Sequence, residues 1–107
     1  MGKRDFIIKR IIINGISINR IIVDDPVAKH GDITDVVILE LVNALDKSIT
    51  IPEDVKWPHK YFVTLIEDGF RNYKVVWLLE ERKNYIGIIT IHRVKRSLKW
   101  PFLVKKN

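Results

Sequence analysis

A chain of 107 residues, 47% of them hydrophobic, has the length and apolar content of one compact domain, so a single domain over residues 1–107 is expected. It contains no cysteine, which excludes disulfides and thiolate zinc sites and fits a reducing compartment. The formal net charge of +6 is unevenly spread: residues 24–58 carry three basic and eight acidic side chains, whereas residues 59–107 carry eleven basic and four acidic.

The first segment, "FIIKRIIINGISINRIIVD", joins two β-branched runs at Asn14-Gly15, residues suited to the positive φ angles of a two-residue hairpin turn. It predicts a β-hairpin pairing Ile13 with Ile16, Ile11 with Ile18 and Lys9 with Arg20. Both faces of such a ribbon are apolar near the turn, so a helix or a partner should cover part of it. The apolar runs are too short to span a bilayer, and no leader cleavage site follows Met1. Position 6 is Phe where an acylation signal wants Ser or Thr. A cytoplasmic protein without a membrane partner is expected.

Next, "DPVAKH" reads as a short helical turn that opens on Pro26 and stops at Gly31. A main helix should start at the N-cap Thr34, with Ile33 and Ile38 as a hydrophobic staple. Val37, Leu41, Ala44 and Leu45 recur at helical spacing as its core stripe, and it should close near Asp46. The two prolines of "SITIPEDVKWPHK" mark a loop with a short edge strand over residues 48–51.

From Lys60 to Arg93 three runs, "KYFVTLI", "RNYKVVWLLE" and "YIGIITIHR", predict an antiparallel meander. Side chains two apart share a face of a strand. Odd positions (Tyr61, Val63, Leu65, Val75, Trp77, Leu79, Ile89 and Ile91) are assigned to the core beneath the helix. Even positions then form the outer face, with Lys60, Phe62, Thr64, Asn72, Lys74, Val76, Ile86, Ile88, Thr90 and His92. The fold class expected is α+β: an N-terminal hairpin, one short and one main helix, and a C-terminal three-stranded meander.

From Arg93 onward the chain holds six basic residues and no acidic one, a segment suited to a polyanion. Beside it, an outer face carrying Lys74, Asn72, Thr90 and His92 fits an RNA-facing surface. The plainer reading is that these are exposed strand residues beside a solubilising tail.

Two stretches carry a family resemblance. "KHGDITDVVILELVNAL" resembles the Lys-His-Gly-led helix of BrnT-type toxins, matched here by Lys29, His30 and Gly31, and the meander ending in "IITIHRVKR" resembles the closing strand of the wider RelE/ParE toxin superfamily. Together they cover about half of the chain. The resemblance implies a RelE-like domain that cleaves messenger RNA without a metal and is masked by a partner antitoxin. It carries His92, Arg93 and Arg96 onto the basic exit of the last strand and, more loosely, Lys74 onto the central strand. The chain departs from BrnT in its long N-terminal hairpin and in lacking an early Trp-Asp pair.

Cleavage of that kind needs a base for the ribose 2′-hydroxyl, cations for the charge growing on phosphorus and an acid for the leaving oxygen. His92 suits the proton transfers, with Lys74 and Arg96 as cationic stabilisers. Lys60, Asn72, Thr90, Arg93, Lys95 and Lys99 are the expected nucleic-acid contacts. Arg93 is one residue out of step with His92, so a regular strand points it to the other face. No cofactor is expected, and Asp24, Asp25, Asp32 and Asp35 suit helix N-termini better than a metal. Two other functions fit the same residues. One is a nucleic-acid-binding domain without catalysis, and the other is a homodimeric interaction module built on the isoleucine-rich hairpin.

Overall fold

Asn14 and Gly15 take φ angles of 51° and 78°, closing the turn between β1 (Lys3–Ile13) and β2 (Ile16–Asp24). Next to the turn, Ile13 pairs with Ile16 and Ile11 with Ile18. The following pair is Ile7 with Arg20, not Lys9 with Arg20, because Ile8, Lys9 and Arg10 stand opposite Asn19 alone. This bulge turns the ribbon. Ile11, Ile13 and Ile18 are buried on one side of it, and Ile21 and Val23, of opposite parity to Ile18, are buried beyond it.

The computed structural model describes residues 3–24, 34–47, 51–68, 71–94 and 103–105. The turn expected at Pro26 and the strand expected over 48–50 fall outside them, and Ile51 is exposed and unpaired in any strand. Helix α1 (Asp35–Asn43) starts where expected, with Thr34 Oγ1 accepting from the Val37 amide at 3.3 Å. It buries Ile38, Leu41 and Val42, and Leu45 follows in the closing turn. That turn also grips the hairpin tip. Asp46 Oδ1 accepts from the Ile12 amide at 2.7 Å, and the Lys47 amide donates to the Ile12 carbonyl at 2.6 Å.

The remaining strands are β3 (Asp54–Lys56), β4 (His59–Asp68), β5 (Arg71–Glu80), β6 (Tyr85–Val94) and β7 (Leu103–Lys105). One seven-stranded sheet runs in the order β1-β2-β6-β5-β4-β3, with β7 also pairing β4. Pairs β2/β6 and β4/β7 are parallel and the others antiparallel. The α+β, RelE-like arrangement expected above is therefore overturned. The protein is mostly β, its one helix among the described residues is nine residues long, and hairpin and meander are fused into a mixed sheet. The reason lies in β2, which over Arg20–Val23 pairs with β6 as well as with β1, so the hairpin is part of the sheet and not a free ribbon. No helix among the described residues is long and apolar enough to cross a membrane.

The facing of β4 also differs from expectation. Asp68 pairs directly with Arg71, so Phe62 meets Trp77, Thr64 meets Val75 and Ile66 meets Tyr73. The inner face of β4 is thus Phe62, Thr64 and Ile66, while Tyr61 and Val63 lie half-buried on the outer one. On β6, Ile86 and Ile88 face inward, and Ile91 does so only after a one-residue bulge at Ile89. At the centre of the core, Trp77 stacks on Phe62 with ring centroids 4.2 Å apart.

Candidate functional site

The bulge at Ile89 has a direct consequence for the outer face. Before it, Leu79 pairs with Ile86 and Trp77 with Ile88; after it, Val76 pairs with Thr90 and Lys74 with His92. Without the extra residue Lys74 would stand opposite Ile91, and His92 would be carried out of register. With it, the ammonium and the imidazole are direct cross-strand neighbours on one face, with Cβ atoms about 5 Å apart.

Around this pair, Asn72 lies opposite Val94 and Thr90 opposite Val76, and all four polar residues are half-buried. From β4, Leu65 stands opposite Lys74 and Glu67 opposite Asn72. Leu65 is buried, which gives the row an apolar floor, and Glu67 places one anion at its end.

The other expected residues are not gathered here. Lys60 is opposite Leu79 on the helix side of the sheet, where its Nζ donates to Glu81 Oε1 at 2.6 Å. It is an ion-pair partner of the turn that follows β5, not part of the outer row. Arg93 pairs with the buried Tyr73 and is exposed on the face opposite His92, as regular alternation requires. Arg96, Lys95 and Lys99 lie outside the described residues, as do Lys29, His30 and Gly31. Asp25 and Asp32 lie outside them as well, whereas Asp35 is engaged in an ion pair with Arg4.

Sequence reasoning passed over a second cluster, at the opposite end of the sheet. The Glu80 side chain, only 3% exposed, has His59 and Tyr85 as cross-strand neighbours. It accepts from the Arg82 amide at 2.8 Å and from Arg82 Nε at 3.4 Å, and His59 Nε2 lies 3.7 Å from it. Burial works to raise its pKa, but the hydrogen bonds and charge of Arg82, with His59 behind them, outweigh it and hold the carboxyl below its ordinary range. Glu80 is therefore an ionised anchor for the turn over residues 81–84. The only sequence signal was a carboxylate at a strand end two residues before an arginine.

Of the two clusters, the Lys74–His92 row sets an ammonium beside an imidazole on one face of the sheet. No protein-family model, no curated protein and no solved structure matches the chain.

Proposed function

We propose that this protein binds RNA on the outer face of its sheet and cleaves it without a metal, as a toxin-like ribonuclease held in check by a partner protein. The reading rests on one observation, the direct opposition of Lys74 and His92 across β5 and β6. In that arrangement His92 exchanges a proton with the ribose 2′-hydroxyl or the leaving oxygen, and Lys74 stabilises the charge that accumulates on the phosphorane oxygens. Asn72 and Thr90 supply neutral hydrogen bonds to the backbone on either side.

The test is incubation of the purified protein with single-stranded RNA in the presence of a chelator. Products ending in a 2′,3′-cyclic phosphate, lost in His92→Ala and Lys74→Ala, are expected. Cleavage indifferent to both changes would remove the assignment. In cells, expression should arrest growth, and the double change should relieve the arrest.

A second reading, RNA binding without hydrolysis, is favoured by the spacing of proton-transfer groups. Glu67 on β4 and His92 on β6 are two strand spacings across and two residues along, about 12 Å apart, too far to share one scissile phosphate closely. Intact RNA bound with strong salt dependence would select it.

A further inference from the structure

The free side of β1 is a different surface, two strands away from β6. Among the described residues, β1 pairs only with β2, and its other edge is capped only at Ile12, by Asp46 and Lys47. From Ile7 to Lys9 that edge borders a groove of about 390 Å³ between the strand and α1. Ile8 and Leu39 line it half-buried, and Ile7 and Val36 stand 78% and 63% exposed at its rim. Apolar side chains of that size at an unpaired edge offer backbone hydrogen bonds and side-chain contacts to the same visitor.

Charge decides what the visitor is. Over Arg4–Ile13 the strand carries three cations and one anion, and with Arg4 engaged by Asp35 its exposed cations are Lys9 and Arg10. Its one anion, Asp5, is engaged by Arg20, whose Nε reaches both carboxylate oxygens at 2.9 and 3.0 Å. Lys9 and Arg10 stand exposed in the bulge. A second copy adding edge to edge would bring two such basic strands together and would meet the same bulge, the arrangement by which natural edges refuse their own kind. An acidic strand meets instead the two exposed cations Lys9 and Arg10, set against one carboxylate of the groove lining, Glu40.

We propose that the β1 edge and its groove receive an extended acidic segment of a partner polypeptide. This segment adds to β1 as a further strand, with aliphatic side chains directed at Ile8, Val36 and Leu39 and carboxylates directed at Lys9 and Arg10. The proposal does not depend on RNA binding or cleavage.

The probe is the peptide acetyl-Glu-Val-Asp-Ile-Glu-Val-Asp-Ile-amide, titrated into the isotopically labelled full chain, with its lysine-for-acid counterpart as control. Shift changes and slowed amide exchange are expected over Lys3–Ile11, with side-chain shifts at Val36 and Leu39. The lysine peptide, and the acidic peptide against Lys9→Glu/Arg10→Glu, should each bind at least about tenfold more weakly. Ile7→Asp and Val36→Asp, both at exposed positions, should also weaken binding while leaving the spectrum of the folded chain intact. No perturbation at the edge, equal binding of the two peptides, or a dimer in solution whose protected amides are those of β1 would each overturn it.

Discussion

The indole Nε1 of Trp77 donates to Thr64 Oγ1 at 3.0 Å, across the β4/β5 pair and inside the core. Trp77 is fully buried, so its only side-chain polar atom depends on that hydroxyl. Thr64→Val keeps the shape and removes the acceptor, and should cost about 1–3 kcal/mol of unfolding free energy. Thr64→Ser, which keeps the oxygen, should cost less. Chemical denaturation followed by tryptophan fluorescence measures both.

Gly87 sits opposite Leu78, and a Cβ added to it would come within 2.9 Å of Leu78 Cγ and 3.1 Å of Cδ1. The residue is a glycine because the leucine lies across it. Gly87→Ala should therefore destabilise the fold by about 1–3 kcal/mol. In a Leu78→Ala background the same change should cost less, and the coupling measured by the double-mutant cycle should carry that sign.

Glu80 sets a pH dependence whose direction follows from its lowered pKa. The unfolded chain takes up the proton first, so the stabilisation is fully present above the ordinary carboxyl range and is lost as pH falls through the folded-state pKa. Asp5, lowered by the hydrogen bond and charge of Arg20, acts in the same direction at the surface. Thermal melts across the acidic range should show a steeper decline for the native chain than for Glu80→Gln. A Glu80→Gln variant with an unchanged profile would contradict the anchoring role.

The outer row predicts a salt effect separable from any cleavage. If Lys74 contacts a phosphate, Lys74→Ala should reduce the slope of log affinity against log salt by about one. Thr90→Val, which removes a neutral group, should weaken binding without changing the slope. Fluorescence anisotropy with a labelled oligonucleotide at several salt concentrations distinguishes them.

Local chemistry carried some of this arrangement and long-range pairing carried the rest. Asn14-Gly15 marks its turn because few other residues accept those φ angles, and the inward set Val75, Trp77 and Leu79 follows from clean alternation. On β4 the alternation is ambiguous, since Tyr61, Val63 and Leu65 are as apolar as Phe62 and Ile66. Only the direct pairing of Asp68 with Arg71 decides which set faces inward. The opposition of Lys74 and His92 matched the even-position reading for a reason the pattern does not contain, the bulge at Ile89. Glu80 was hidden because its partners His59 and Arg82 meet it only once β4 and β5 pair and the following turn closes, and neither signals that alone.

The parallel seam between β2 and β6 joins Ile21 to Ile86 and Val23 to Ile88. During synthesis the hairpin precedes β6, and the strand that completes its inner edge is made only after β3, β4 and β5. Until Ile88 is made, Ile21 and Val23 are paired on the β1 side alone, and the chain must close a long loop before their second side is covered. Assembly of the sheet is thus governed by an encounter between distant parts of the polypeptide. A nascent chain halted before Tyr85 would hold a hairpin whose β2 edge lacks its parallel partner.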